Sequence, residues 1–218
     1  METVRTRATE LLPSVLLTVL SMIQALALEL LWTRLRESPY LWVGSWDAVL
    51  GWAQVAAMLL GFLQIWLFYT SLVMRFRWCP SMQDSVAPFG IGILQFTLID
   101  LMGPTSLGPW FYVLALVFAV SIWASQTIFK RARQDPANRE FFESLEPAAL
   151  GDFGPAIASI AGLVLLGFIL HLSGSRGWLA LGAVLIAIAA LAYQLELTRQ
   201  YWERSLSGSA DPLVGAEE

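Results

Sequence analysis

The stretch PAIASIAGLVLLGFILHLS (155–173), the four residues GSRG and the stretch WLALGAVLIAIAALAYQLEL (178–197) decide the fold. Each apolar run is close to the length of about 20 residues with which an α-helix crosses a bilayer. The connection 174–177 is short and contains two glycines, so we expect the two helices to form an antiparallel hairpin. This segment alone indicates an α-helical membrane protein.

The rest of the chain contains four more apolar runs of this kind. The chain is 57% hydrophobic and 14% charged, whereas soluble domains are about 45–50% apolar and about 25% charged. This balance excludes a disordered chain and argues against a soluble enzyme. We predict an all-α, six-helix transmembrane bundle within residues 1–205, with spans at 12–32, 48–73, 86–103, 110–129, 155–173 and 178–197. The third span is short and contains Pro88, and the turn 103–109 predicts a hairpin with the fourth.

Lysine and arginine are distributed unevenly between the two ends of the predicted spans. Three of them, Arg34, Arg36 and Arg176, fall on one side, and the other ten fall on the opposite side. Because basic residues concentrate in cytoplasmic loops, we predict that both termini are cytoplasmic. Six tryptophans at or near the outer ends of the spans are expected to act as interfacial anchors: Trp32, Trp42, Trp46, Trp52, Trp110 and Trp178.

The first span has a second interpretation. Arg5 and Arg7 precede the apolar run, and Ala25-Leu26-Ala27 resembles the cleavage site of a secretory signal peptide. The apolar run nevertheless continues to Trp32, which is longer than the roughly 7–15 apolar residues of a signal peptide. We therefore expect a retained first helix.

Cysteine usage, charge and motifs narrow the class of protein further. Cys79 is the only cysteine, which excludes an intrachain disulfide. The chain has neither a glycine-rich phosphate-binding loop nor a basic stripe, so we predict no cofactor and no nucleic-acid partner. Arginine outnumbers lysine twelve to one, as in GC-rich bacterial genomes. We predict an integral protein of a bacterial inner membrane, with the lipid bilayer as its first partner.

Small and polar residues recur on single faces of the predicted helices. Such faces pack helices together in membranes, within one bundle, in a homo-oligomer or against a partner subunit. The alternative is that the faces of the first two helices line a polar cavity. The residues concerned are Ser14, Thr18, Ser21, Ala25 and Glu29 on the first helix, Gln54, Ala57, Gly61, Gln64 and Ser71 on the second, Ser121 and Ser125 on the fourth, and Gly154, Ala158 and Gly162 on the fifth.

Residues 131–153 form the longest predicted loop. Asp135-Pro136 has the composition of a helix start, with a capping side chain followed by proline at the first helical position. Glutamates recur every three residues from Glu140 to Glu146, with Phe141, Phe142 and Leu145 between them, which favours a short amphipathic helix on the membrane surface. A solvated connector is the alternative. Residues 206–218 are predicted to be a flexible acidic tail.

Ionisable residues of the spans gather near their outer ends. Glu29, Asp100 and His171 lie there, with Gln54 and Gln95 somewhat deeper. Because charged groups are costly inside a bilayer, we expect Glu29 and Asp100 to face the interior of the bundle. The five side chains would then form an outward-facing polar pocket.

Local pairing is the alternative to this pocket. It pairs Glu29 with Arg34 or Arg36 and Asp100 with Arg176, and it makes Asp47 the cap of the second helix. His171 would be stabilised by the partial negative charge at a helix C-terminus. A single imidazole with no second histidine at ligand spacing gives no prediction of a metal site.

Three functions are compatible with these patterns. The first is a small transporter or channel-like protein built around the outer pocket. The second is a non-catalytic membrane subunit or assembly factor that binds its partner through the small-residue faces. The third is an enzyme acting on a lipid at the outer interface, with the pocket residues as acid and base. We favour the first two, because no nucleophile or metal-ligand spacing supports an enzyme.

Overall fold

The structure, a computed structural model, describes residues 4–75, 77, 81–139, 142 and 154–207. Two short 3₁₀ helices, Pro39–Trp42 and Pro136–Asn138, accompany the α-helices. Within the described residues the chain forms six long helices: α1 (Val4–Arg36), α2 (Trp46–Arg75), α3 (Met82–Asp100), α4 (Leu107–Gln134), α5 (Gly154–Ser173) and α6 (Trp178–Ser207). The all-α fold and the count of six helices are thereby confirmed. Each predicted span lies inside one helix, except that residues 101–103 follow the end of α3.

Five of the six helices are long and apolar enough to cross a membrane: α1, α2, α4, α5 and α6. The apolar part of α3, Val86–Asp100, is shorter. The start of α3 is polar. Ser81 and Asp84 form a capping box there, in which each side chain accepts a hydrogen bond from the backbone N–H of the other residue. The chain is therefore an integral, multi-pass membrane protein with five helices of spanning length, rather than the six predicted.

The helices run between two ends of the bundle. One end, which we call the basic end, brings together the starts of α1 and α3 and the ends of α2 and α4. There Arg77 lies 3.9 Å from Glu10, and Arg131 lies 2.6 Å from Asp84. At this end, two arginines therefore each lie beside a carboxylate.

The opposite end, which we call the tryptophan end, is tied together by side chains that bind loop carbonyls. Trp42 donates to the carbonyl of Leu35 at 3.1 Å, and Trp52 donates to that of Leu41 at 3.2 Å. Trp46 donates to the carbonyl of Arg176, in the α5–α6 turn. These tryptophans therefore close the loops of this end as well as facing its surface.

One predicted interfacial tryptophan differs from the others. Trp178 is 78% exposed, whereas Trp110 is fully buried. Trp110 lies in the first turn of α4 and packs edge-to-face on Phe111, with ring centroids 5.3 Å apart. The prediction of an interfacial anchor at Trp110 is wrong, because neighbouring residues bury this side chain. Trp178 on α6 is not covered in this way.

The closest helix packing does not follow the order of the chain. α3 packs between α1 and α4, which confirms the predicted α3–α4 hairpin. α4 packs most extensively on α5, and α2 on α6, whereas α5 and α6 contact each other little despite their short turn. Glycines explain the α4–α5 contact, since a Cβ at Gly167 would lie 3.0 Å from the Cβ of Phe111, and one at Gly108 would lie 2.9 Å from the Cβ of His171.

The end of α4 is fixed by the first residues of the predicted loop. Asp135 accepts a hydrogen bond from the backbone N–H of Ala137 at 3.0 Å and so caps the 3₁₀ helix, as its position before Pro136 predicts. The buried Asn138 donates to the carbonyl of Ala132 at 2.8 Å and accepts from the backbone N–H of Arg77 at 3.0 Å. The predicted amphipathic helix falls largely on residues 140–153, of which only Phe142 is described, and the predicted tail after residue 207 lies outside the described residues.

Candidate functional site

The five residues predicted to form an outer pocket fall into two groups. Glu29, Asp100 and His171 are exposed on the surface of the bundle. Gln54 and Gln95 are buried, with 0% and 1% of their surface exposed. The two charged carboxylates therefore do not face the bundle interior, contrary to the expectation from the cost of burying charge. Their position near the tryptophan end, at the edge of the apolar layer, lowers that cost.

Gln54 has a local structural role at the tryptophan end. Its Oε1 accepts a hydrogen bond from the backbone N–H of Gly103 at 3.0 Å. Gly103 has a φ of +142°, a conformation that favours glycine and lets the chain turn from α3 into α4. Gln54 therefore holds this turn against α2.

The predicted local pairs are also replaced by other contacts. Arg34 donates through Nη2 to the backbone carbonyl of Asp100 at 3.4 Å, not to a carboxylate. In the described part of the chain, no ion pair joins Glu29 to Arg34 or Asp100 to Arg176.

The cap of α2 is Ser45 instead of the predicted Asp47. The Ser45 hydroxyl accepts a hydrogen bond from the backbone N–H of Ala48 at 3.2 Å, whereas Asp47 lies in the first turn of the helix. Among the described residues, no group of three histidine, cysteine or acidic side chains is placed to hold a metal ion.

The small and polar faces of α1 and α2 differ in their exposure. Ser14, Thr18, Ser21, Ala25 and Glu29 on α1 are all exposed. On α2, by contrast, Ala57, Gly61 and Gln64 line an interior cavity. The α2 face thus lines a cavity that is mostly apolar and does not include Gln54, and the α1 face lines none among the described residues.

This cavity, which we call the central cavity, has a volume of about 210 Å³. It lies between α2, α3 and α4, with α6 and the start of α5 completing its wall. Most of the lining is apolar or aromatic, and it has no acidic or basic side chain. The lining residues are Ala57, Met58, Gly61, Phe62, Gln64, Ile65, Phe68, Tyr69, Gln95, Leu98, Leu114, Val117, Phe118, Ser121, Ile122, Ser125, Ala156, Leu191 and Gln194.

Four side chains of the central cavity carry buried polar atoms without a hydrogen-bond partner among the described residues. They are both amide atoms of Gln95, the Oε1 of Gln64, the hydroxyl of Tyr69 and the Oγ of Ser121. An unsatisfied buried polar group costs about 1–3 kcal/mol. Several such groups around one cavity lower the stability of the fold, and such a concentration is typical of a functional site.

The orientation of the Gln64 amide is set by α6. Its Nε2 donates to the Oε1 of Gln194 at 2.7 Å, which leaves the Gln64 Oε1 as the atom without a partner. Gln95 presents both a donor and an acceptor, and the two hydroxyls of Tyr69 and Ser121 can do either. The cavity can therefore hold a neutral molecule that both donates and accepts hydrogen bonds.

The sequence identified part of this site. Gln95 and Gln64 are predicted polar residues, and Ser121 belongs to a predicted small-residue pair. Tyr69 and Gln194 are absent from the predictions, because both lie among apolar residues in the half of their helix nearer the basic end, away from the predicted outer pocket. Their one sequence signal is that each places a hydrogen-bonding group inside an apolar span, where such groups seek partners.

The fold and this cavity define a class, that of small multi-pass helical membrane proteins with a mostly apolar cavity between their helices, into which a few polar groups project. No known protein family, curated protein or solved structure matches the chain.

Proposed function

We propose that this protein is a small transporter or channel-like protein whose central cavity binds a neutral solute. The observation that carries the proposal is the convergence of unpartnered polar atoms from Gln64, Tyr69, Gln95 and Ser121 on one buried space. A bound solute with both donor and acceptor groups would satisfy them, which is how ligand sites combine an apolar wall with a few polar groups.

Size and charge limit the solute class. The cavity of about 210 Å³ lies between a space of roughly 150 Å³ that holds benzene and the roughly 300 Å³ at which drug-sized pockets begin. A molecule the size of one ring with a polar substituent fits these limits. A charged solute would lose its hydration without meeting an opposite charge in the lining, so the site favours neutral molecules.

The proposal moves the binding site from the predicted outer pocket to the middle of the bundle. Of the predicted pocket residues, Gln95 is retained as a binding side chain. Glu29, Asp100 and His171 are assigned to the aqueous interface at the tryptophan end, which we place outside the cell because the basic end concentrates arginine. Among the described residues, the central cavity contains no acidic or basic side chain that could replace these residues as the acid and base of a lipid-modifying enzyme.

Binding is tested with benzamide and benzoate, two probes of nearly equal size of which only benzoate is charged. Purified protein in detergent is heated with each probe, since a ligand that binds the native state raises the melting temperature. We expect benzamide to raise it and benzoate not to. Gln95→Leu should abolish the benzamide effect, and Gly162→Ala, away from the cavity, should retain it. Equal stabilisation by both probes, or by benzamide in Gln95→Leu, would contradict the proposed site.

Transport is tested separately in proteoliposomes. Vesicles are exposed to a glycerol gradient, and their re-swelling is followed by light scattering. We expect re-swelling faster than in protein-free vesicles, and a return to the protein-free rate with Gln95→Leu. The measurement is repeated with a urea gradient. Re-swelling at the protein-free rate with both solutes would reject solute passage, and the protein would then bind a solute without transporting it.

A membrane subunit is a second candidate, and the exposed face of α1 favours it. Ser14, Ser21 and Ala25 lie on the surface, where small and polar residues allow another helix to approach closely. The test is the mass of the protein extracted in mild detergent, compared with Ser21→Leu and with Leu26→Ile, a conservative change at an exposed α1 position. A complex lost only in Ser21→Leu would support this role, and a monomer in all three proteins would argue against it.

A further inference from the structure

A second surface feature lies on α4 near the basic end. Among the described residues, six α4 side chains line a groove of about 460 Å³, which we call the α4 groove: Trp123, Gln126, Thr127, Lys130, Arg131 and Gln134. Trp123, Thr127, Lys130 and Gln134 follow one another at spacings of four, three and four, which places them on one face of the helix. The groove is separate from the central cavity and shares none of its residues.

The polar atoms of the α4 groove are mainly hydrogen-bond donors. Lys130, the only lysine of the chain, is exposed there. Gln126 and Gln134 are exposed as well and offer amide N–H groups. Thr127 already donates its hydroxyl to the carbonyl of Trp123 at 2.9 Å, so its oxygen only accepts. The Lys130 ammonium and the two amide N–H groups are donors that suit an anionic group.

Of the nearby acidic groups, Asp84 is paired with a cation and Asp135 is engaged as a helix cap. Asp84 is paired with Arg131 at 2.6 Å, and its side chain is 2% exposed. Asp135 accepts from the backbone N–H of Ala137. The carbonyl of Ala132, in the last turn of α4, is bound by Asn138, which reduces the repulsion that a helix C-terminus exerts on an anion.

The part of the groove farther from the basic end contains an exposed aromatic side chain. Trp123 is 50% exposed, and it lies seven residues before Lys130, which corresponds to about 10 Å along the helix axis. Tryptophan favours the boundary between headgroups and acyl chains. The groove thus joins a basic, donor-rich part to an aromatic part at the spacing between a phosphate and the first segments of its acyl chains.

We propose that the α4 groove binds an anionic phospholipid, with the phosphate at Lys130 and the glycerol and acyl chains against Trp123. Basic pockets at the ends of transmembrane helices recognise anionic headgroups in this way. Arg131 keeps its contact with Asp84 and contributes its charge from the side. The site is independent of the proposed solute cavity.

The test is a titration of purified protein in zwitterionic detergent with dioctanoyl phosphatidylglycerol and with dioctanoyl phosphatidylcholine. One basic side chain near an anionic headgroup contributes about 1 kcal/mol, which corresponds to about fivefold in affinity. We expect phosphatidylglycerol to bind at least fivefold more tightly than phosphatidylcholine. Lys130→Gln should weaken phosphatidylglycerol about fivefold, and Trp123→Ala should weaken both lipids.

Arg133→Gln is the matched control, because it removes the same charge from α4 outside the groove, where Arg133 lies 4.9 Å over the ring of Phe142. It should retain the phosphatidylglycerol affinity of the natural protein. Equal losses in Lys130→Gln and Arg133→Gln would reduce the effect to general charge attraction and overturn the site. Competition by glycerol 3-phosphate as strong as that by the lipid would also overturn it, by identifying a site for soluble phosphates.

Discussion

Gln64 on α2 and Gln194 on α6 are joined by a 2.7 Å hydrogen bond from the Nε2 of Gln64 to the Oε1 of Gln194. This bond links two helices that are distant in sequence and fixes the wall of the central cavity. Because the donor of Gln64 is used, its acceptor is the atom that faces the cavity without a partner.

This pair predicts a non-additive response to mutation. Gln194→Leu removes the acceptor and leaves the whole Gln64 amide unpaired, so the free energy of unfolding should fall by about 1–3 kcal/mol. The double variant Gln64→Leu/Gln194→Leu should recover most of that loss, because no unpaired amide remains. Reversible unfolding in detergent measures the cycle, and additive losses would show that the bond contributes nothing.

The contact between α4 and α5 predicts opposite effects at two glycines of the same helix. Gly167→Ala places a Cβ 3.0 Å from the Cβ of Phe111 and from the Tyr112 ring, so it should lower the free energy of unfolding by about 1–3 kcal/mol. Gly162→Ala meets no atom within 4 Å and should be neutral, or stabilising by up to about 1 kcal/mol. Thermal unfolding of the two variants compares them directly, and equal melting temperatures would contradict the close approach.

The ion pair at the basic end predicts a larger loss than an exposed pair. Asp84→Leu removes the partner of Arg131 and the capping box of α3, so stability should fall by about 2–4 kcal/mol. Glu196→Gln breaks the exposed pair with Arg199 and should leave the melting temperature unchanged. A decrease in stability of similar size in both variants would mean that burial does not increase the contribution of Asp84 to stability.

Tyr40, in the loop between α1 and α2, predicts a loss of stability at alkaline pH. Burial raises the pKa of the Tyr40 phenol above its ordinary value, and the charge of Arg34 offsets part of that rise. The folded state therefore holds the phenolic proton more tightly than the unfolded state. Its contribution is complete below the ordinary tyrosine pKa of about 10 and is lost as the pH rises through the raised pKa of the folded protein.

Melting temperatures measured in detergent from pH 8 upward test this linkage. Tyr40→Phe should melt with a shallower decline than the natural protein above about pH 10. Tyr193→Phe, at an exposed position on α6, is the control and should keep the original decline. Identical curves for the natural protein and Tyr40→Phe would exclude a contribution from this phenol.

The sequence predicted the helices well, because the bilayer imposes their length and hydropathy on each span separately. It did not predict which face of a helix points inward. The faces from Ser14 to Glu29 on α1 and from Gln54 to Gln64 on α2 have the same small and polar composition, yet one is exposed and the other lines the cavity. That difference depends on neighbours, since α2 packs extensively on α6, whereas the small and polar face of α1 is exposed.

The candidate site could be predicted only in part for the same reason. Gln95 stands out as an amide in an apolar span, but its position on the same cavity as Tyr69 depends on how α3 packs against α1 and α4, which nothing local encodes. Glu29 and Asp100 stand out more strongly because they are charged, which drew the prediction towards the tryptophan end. The unpaired neutral groups deeper in the bundle are less conspicuous in sequence and more informative in three dimensions.

The pairing of α6 with α2 has a consequence for how the protein is made. Leu191 and Gln194 are synthesised after every other part of the central cavity, and they complete its wall. Until α6 leaves the ribosome and inserts, the Gln64 amide on α2 faces lipid or the translocation machinery with neither of its hydrogen-bonding atoms engaged. The wall of the cavity is thus completed last, and a nascent chain arrested before α6 would leave the cavity open along α2 with the Gln64 amide unpaired.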